Sequence, residues 1–458
     1  MSFVCVDIGA SSTRYINSGG SVGVLPNNIE IIEKTVNGER VPNMDPVMCQ
    51  IDSLELQDNL EIIIEHPNEY VDPDFPDALY HTANFPIHAM VGSMAKNLGY
   101  SNITPVMAKN KTGQIVNFIS WVLTVAVSRL QGKVDEHVDL HIALPPKEVT
   151  ARRADVPKLY GGEYTVHFVR YNQTVKFYID SVECFPESSA ALTSFMLKLD
   201  GTPSDNYKAY GNKCIMSVDI GASTSDFILM EKGSIVEKTG RTFSTGGITA
   251  MEKITTRIQQ MYSDIDEDDA LNAAIEGRIN TGGGKYTVVS DIVNDAKRQV
   301  ASTLVHQMDS YLRNNGKSLR NIDLIVVSGG GSLPSSYVNE NNETVITSKP
   351  VSEFFVELLS KQSDGVDVKV VNHSDNPRMA NLFGLYIRAR LKEVRNLQLK
   401  REQSQVQQAQ VQPQPVAPPV SSAVQTSVAT PSMPTTPPEF GTPIDVVANS
   451  GVPQMPNI

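Results

Sequence analysis

Two short stretches carry an acid, a glycine and small hydroxylated residues in the same order. Val6 to Ser11 and Val218 to Ser223 both read VDIGAS, 212 positions apart. An apolar run precedes each acid, as in Phe3-Val4-Cys5-Val6, and suits a buried strand. The glycine that follows lets the backbone turn tightly and approach a ligand closely. Ala10-Ser11-Ser12-Thr13 and Ala222-Ser223-Thr224-Ser225 offer backbone N–H groups and hydroxyls without bulk, which is what a phosphate needs. The carboxylate at the mouth of each turn, Asp7 or Asp219, repels that phosphate unless a cation stands between them, and magnesium suits both. One such turn is an ordinary turn in most chains. Six identical residues met twice make a candidate pair of phosphate loops.

Other stretches are weaker candidates. Leu324 to Ser328 is an apolar run that ends in Gly329-Gly330-Gly331-Ser332, a turn that can admit a flat ring against the backbone or serve as a plain strand-to-helix loop. Pro186-Glu187 opens a helix, with the carboxylate in the first turn where the macrodipole stabilises it. Thr281-Gly282-Gly283-Gly284-Lys285-Tyr286 resembles a P-loop but fails as one: no glycine stands five positions before Gly284, and Tyr286 replaces the required Ser or Thr. The acidic run from Asp264 to Asp269 lacks the offsets of a calcium loop and reads as a solvated helix start.

The repeated turns require a strand, a turn and a return strand each time. Strands are predicted over 3–9, 13–17 and 22–25, then over 138–144, stopped by Pro145-Pro146. A hairpin over 164–170 and 174–179 turns at Tyr171-Asn172-Gln173. Residues 89–98 and 114–130 read as helices. The second, IVNFISWVLTVAVSRL, is apolar around most of its circumference and must be buried, with Trp121 as a core residue. Past the second turn, strands are expected over 227–230 and 234–238, a helix over 249–262 after Gly246-Gly247, a long helix over 289–312 and a strand over 368–371. A last helix begins at Asn376-Pro377 and runs to about residue 403. Residues 26–90, rich in Pro, Asn and Asp, read as a variable insertion with one strand-like run at 60–64.

The chain has 458 residues, 40% of them apolar, and a formal net charge of −12. That length builds two or more domains. The charge argues against broad electrostatic binding to nucleic acid or anionic lipid. Cys5, Cys49, Cys184 and Cys214 are far apart with no CxxC pair, as reduced core thiols are. Neither a leader sequence nor an apolar stretch long enough to span a bilayer is expected, so the reading is cytoplasmic and without a membrane partner. From Ser404 to Ile458 there are 11 prolines and no Lys or Arg. This stretch reads as a disordered tail, either a spacer or a docking arm with apolar patches at Phe440 and Ile444.

VDIGASSTR, VDIGASTSD, VSGGGS and NPRMANLFGLY occur in the order of the first phosphate, second phosphate, adenosine and second connecting motifs of the actin-like ATPase superfamily. The chain resembles that superfamily over about residues 1–400. LHIALPPKEV, the strands between 164 and 179, and CFPESSAAL are most similar to the plasmid-segregating ParM and StbA group. The resemblance implies an α/β, two-lobe fold of duplicated ribonuclease H-like units around a cleft for ATP and magnesium. Lobe I would span 1–190, with the insertion at about 26–110, and lobe II 191–375. The helix 376–403 would return to lobe I, ahead of the tail.

Family roles then fall on residues of this chain. Asp7 and Asp219 would face magnesium through its waters. Gly9, Ala10, Ser11 and Ser12 with Arg14, and Gly221, Ala222, Ser223 and Thr224, would clasp the phosphates. Glu187 would orient or deprotonate the attacking water, while Gly246, Gly247, Gly329, Gly330, Gly331 and Ser332 would border the adenosine. Arg14 departs from the lysine often found there but keeps its charge. The implied function is a filament-forming ATPase that assembles with ATP, disassembles after hydrolysis and moves plasmid or phage DNA through a DNA-binding adaptor, without touching nucleic acid itself. The alternatives are a small-molecule kinase, a chaperone-type ATPase and a cell-shape actin of the same superfamily. No base for a substrate hydroxyl, no following peptide-binding domain and no membrane-inserting segment speaks for them.

Overall fold

A computed structural model of the protein describes residues 2–9, 12–37, 39–44, 59–66, 86–97, 111–262, 265, 267–282, 285–362, 369–373 and 376–411. Met1–Lys392 form one compact unit; the described part of the second, Glu393–Ile458, is helical.

The chain opens as the sequence predicts, with β1 (Ser2–Ile8), β2 (Ser12–Asn17) and β3 (Val22–Pro26) in an antiparallel meander. All seven residues of β1 are buried, because its neighbour on the other side, β9 (His137–Leu144), runs parallel to it and the sheet is covered on both faces. The insertion is less separate than its composition suggests. Its strands β4 (Ile29–Ile31), β7 (Asn59–Glu65) and β8 (Ile87–Gly92) join the main sheet, while β5 (Glu33–Val36) and β6 (Glu39–Pro42) make a hairpin of their own. The helix predicted over 89–98 is a correction: the run to Gly92 is strand β8, paired with β7, and only α1 (Ser93–Asn97) is helical. β10 (Gly162–Phe168) and β11 (Gln173–Pro186) form the expected hairpin, turning at Asn172 in the left-handed region. The nine strands lie in the order β3-β2-β1-β9-β11-β10-β7-β8-β4. The apolar helix α2 (Ile115–Leu130) is buried, and Trp121 packs edge-on against Tyr160, with ring centroids 4.8 Å apart. Two short helices, α3 (Pro146–Arg152) and α4 (Val156–Tyr160), follow β9.

β11 runs through Pro186 into α5 (Glu187–Met196), followed by α6 (Asp205–Tyr210). The second half then repeats the opening with β12 (Cys214–Ile220) and β13 (Ser225–Glu231), flanked by β14 (Ser234–Ile235) and β15 (Arg241–Phe243). α7 (Gly247–Met261), α8 (Glu267–Glu276) and the hairpin of β16 (Arg278–Asn280) and β17 (Tyr286–Val288) lead to α9 (Ser290–Asn314). The P-loop lookalike falls between the strands of that hairpin, with Gly283 and Gly284 outside the described residues. β18 (Leu324–Ser328) runs parallel to β12, and beyond it come the hairpin of β19 (Ser335–Val338) and β20 (Thr344–Ser348), α10 (Val351–Gln362) and β21 (Lys369–Asn372). The second sheet has the order β14-β13-β12-β18-β21, with β15 on β13. A 3-10 turn, Pro377–Met379, opens α11 (Ala380–Val411).

α5 packs against both halves. Ala190 joins a cluster with Phe3, Cys5 and Leu385, while Leu192, Phe195 and Met196 pack on Ile215, Ile228 and Val326 of the second sheet. α11 crosses α5 at Gly384, where an added Cβ would meet the Ala190 carbonyl oxygen at 1.8 Å. That contact leaves room for hydrogen alone.

Candidate functional site

The two VDIGAS turns have the same local build. Gly9 N–H donates to Ser12 O at 3.0 Å, and Gly221 N–H donates to Thr224 O at 2.9 Å. In register, Asp7 stands opposite Arg14 and Asp219 opposite Asp226. The equivalent position of the repeat is thus a cation in one half and an anion in the other. Ala10 and Ser11 lie outside the described residues. Around the first turn, Asn27 donates to the Gly9 carbonyl and accepts from Thr13.

The glycines named from the sequence converge on the second turn. Gly247 N–H donates to Gly221 O at 3.0 Å and Ile248 N–H to Ala222 O at 2.7 Å, so this segment lies directly on the loop that carries Ser223. Gly246 has no room for a side chain, since its Cβ would lie 2.5 Å from Ala222 O. Gly329 has φ +84 and a Cβ would fall 2.3 Å from Asp219 Oδ1; at Gly331 it would fall 2.3 Å from Ile220 Cγ2. A Cβ on Gly330 would make only an ordinary contact, 3.7 Å from Arg378 Nε, and Ser332 donates to Ser328 O at 3.3 Å.

The acids from both halves meet at one place. Asp7, Asp219 and Glu187 are 5, 4 and 6% exposed, and Asp226, which the sequence reading did not single out, is 1% exposed. Asp219 accepts from Asn381 Nδ2 at 2.8 Å and Ser328 Oγ at 3.2 Å. Burial first, and then the charges of Glu187 and Asp7, push its carboxyl up to about 7 against those two hydrogen bonds. Burial also raises Asp7, with Glu187 adding to the effect while Lys111 and Arg14 oppose it. Asp226 is raised by burial and by Glu187, and its Oδ1 has no hydrogen-bond partner among the described residues.

Lys111 is the cation inside this cluster. Its Nζ donates to Glu187 Oε1, and to Ile8 O at 2.7 Å. Burial works against its charge, but Glu187 and Asp7 outweigh it and hold the ammonium well above the usual lysine range. Its backbone is pinned from the other side. Glu148 accepts Lys111 N–H at 2.9 Å and Thr112 N–H at 2.6 Å, and Asn117 Nδ2 donates to Lys111 O at 2.9 Å. Arg14 Nη1 lies 3.7 Å from Asp7 Oδ2 and is the second cation.

Burial raises three of these four carboxyls, so the cluster either keeps protons or takes up positive charge beyond Lys111 and Arg14. A divalent cation fits. Among the described residues no three acidic, His or Cys side chains close on one point as direct ligands. A separate groove between α7 and α9, lined by Lys253, Arg257 and Asp295, contains none of these residues and carries an Arg257–Asp295 ion pair at 2.7 Å.

Comparison with known proteins bears on this geometry. The actin-like protein Alp7A has a TM-score of 0.60 and 17% identity, with 87% of this chain and 98% of that one covered. A ParM from Bacillus thuringiensis with ATP gives 0.52 and 16%, over 86% and 99%. The ParM of a 15-stranded filament from Clostridium botulinum gives 0.52 and 14%, over 86% and 100%. The chain has the actin-like fold. A family model described as archaeal actin homologue MreB-like, C-terminal, matches residues 217–336, the part of this actin-like chain that carries the second turn and the glycines of β18. No curated protein sequence matches it. The expected resemblance to ParM therefore holds at the level of fold.

Sequence reasoning missed Lys111, Asp226, Asn381 and Arg378, the last in the 3-10 turn before α11. Asp226 had a signal available, since it sits seven residues after Asp219 as Arg14 sits seven after Asp7. Lys111 had none.

Proposed function

We propose that this actin-like chain binds ATP with magnesium between its two acid-bearing turns, hydrolyses it, and polymerises in the ATP-bound state. The gathering of Asp7 and Asp219 around Glu187, which Lys111 pairs, carries this reading, because phosphoryl transfer needs placed charge and a placed water more than covalent help from the protein. A solved relative is described with ATP and another as a filament, which supports both halves of it.

Asp7 and Asp219 are the carboxylates that would hold the cation. Gly9, Ser12 and Arg14 face the phosphates from one side and Gly221 to Thr224 from the other, using turn N–H groups and hydroxyls. A magnesium ion held there would supply charge neutralisation for the phosphate oxygens. Glu187, its carboxylate held by Lys111, orients the attacking water and accepts its proton. Gly246, Gly247 and Gly329 to Ser332 border the adenosine.

Assembly is head-to-tail and does not close into a ring. The filament moves a DNA cargo through a separate DNA-binding adaptor, in the cytoplasm. Among the described residues no helix is long and apolar enough to cross a membrane. Right-angle light scattering after addition of ATP and magnesium tests the reading. A rise for the unmodified chain, absent for Asp219→Ala, is the expected result. A flat trace for the unmodified chain overturns polymerisation, and activity unchanged in Asp219→Ala overturns the site.

A further inference from the structure

Arg378 is a cation without a counter-ion. It sits in the 3-10 turn Pro377–Met379, its side chain reaches solvent, and among the described residues no carboxylate pairs with it. The charge that acts on it is that of Arg14, of like sign; partial burial and then this repulsion pull it below the usual arginine range. Two guanidiniums from opposite ends of the chain are thus held within reach of each other's fields, with only Asp7 beside Arg14.

Both are fixed to the nucleotide loops. A Cβ on Gly9 would lie 3.3 Å from Arg14 Nη1, and one on Gly330 would lie 3.7 Å from Arg378 Nε. The Arg378 turn is tied to the glycine turn by Gly329 N–H donating to Pro377 O at 3.1 Å, and to the acid cluster by Asn381 on Asp219. The Arg14 and Arg378 turns each border the acid cluster, and an anion between the two like charges would remove their repulsion, guanidiniums being matched to phosphate oxygens.

Resting on the proposed nucleotide site, we infer that Arg378 and Arg14 form a two-guanidinium clamp on the polyphosphate chain, Arg378 acting from the side of the glycine turn. The clamp makes the site a reader of linked phosphates: bridging removes a repulsion that adenosine alone leaves in place. It also draws the turn before α11 towards the first phosphate loop.

Calorimetric titration of the full chain with magnesium tripolyphosphate, magnesium ADP and adenosine separates the outcomes. Arg378→Ala is expected to weaken tripolyphosphate and ADP alike, by about tenfold or more, with adenosine unchanged and Arg378→Lys restoring both only in part. The salt dependence of tripolyphosphate binding falls in the alanine variant. Arg378→Gln serves if the alanine variant melts early. ADP weakened with tripolyphosphate unaltered means that Arg378 reads the nucleoside and overturns the clamp, as does no change in any ligand. An unmodified chain that binds none of the three overturns the nucleotide site itself, and the clamp with it.

Discussion

Glu187 accepts a hydrogen bond from Lys111 beside three other buried acids, and this pairing separates its role from theirs. Glu187→Gln keeps the shape and a hydrogen-bond acceptor for Lys111 but removes the base. Phosphate release should fall by about 10²–10⁴-fold, with ADP affinity changed only a few-fold and longer-lived filaments in light scattering; unaltered release removes Glu187 from the mechanism. A second residue makes a prediction about pH. Lys297 of α9 is buried, donates to Ser335 Oγ and Ser348 Oγ at 2.8 Å each, and is pulled down to about 8 by burial. The unfolded chain holds this proton up to the ordinary value near 10.5, so between those values it binds more protons than the folded one and stability rises with pH. Urea melts of the unmodified chain and Lys297→Met should diverge in favour of the lysine by up to about 3 kcal/mol from pH 8 to 10.5; parallel curves would show that the lysine is ordinary. At this scale the sequence showed what it repeated. Asp7 and Asp219 stood out through identical neighbours, whereas Lys111 comes from a stretch with no pattern and acquires its role only when α2 and β11 bring it to Glu187.

The elements that join the two sheets are α5 and α11, and their crossing tolerates no side chain at Gly384. Gly384→Ala must move the Ala190 backbone, which sits between both sheets, so the strain is felt by each. A loss of about 1–3 kcal/mol in urea denaturation is expected, with weaker ADP binding, since α11 also carries Asn381 to Asp219. Unchanged stability would place the crossing elsewhere. The sequence showed NLFGLY as a helix but not that Gly384 is a contact, because nothing in a helical pattern marks which face meets another helix. The strand mistaken for a helix over 89–98 has a related cause. Ile87 to Gly92 is a short apolar run that suits either state, and pairing with β7 decides it. Conversely, α11 passes the expected end near residue 403 to Val411. The polar stretch Ser404 to Gln410 still favours a helix, and Pro413 is the first residue that forbids it. The change of composition at Ser404 therefore does not end the helix.

For the whole molecule, the duplicated strand-turn-strand units were legible from the two copies of one hexapeptide, while the nine-stranded extension was not. β4, β7 and β8 are separated by long polar segments, and their pairing is non-local. What unites the compact unit is that each half supplies acids to one cluster. Such a shared site has a thermodynamic consequence: a ligand held by both halves stabilises both, by RT ln(1 + [L]/Kd), or about 2.7 kcal/mol at a hundredfold excess over Kd. Magnesium ADP is the suitable probe, since the proposed cycle leaves that state unassembled and the melt reports on single chains. One cooperative transition should move upward as a whole, whether followed by Trp121 fluorescence, which sees the first sheet's core, or by far-ultraviolet circular dichroism, which sees both. Asp7→Ala and Asp219→Ala, one in each half, should each abolish the shift for both probes. If Asp219→Ala leaves the Trp121 transition responding to ADP, the nucleotide belongs to one half alone, and the joining of the two turns around a single ligand is wrong.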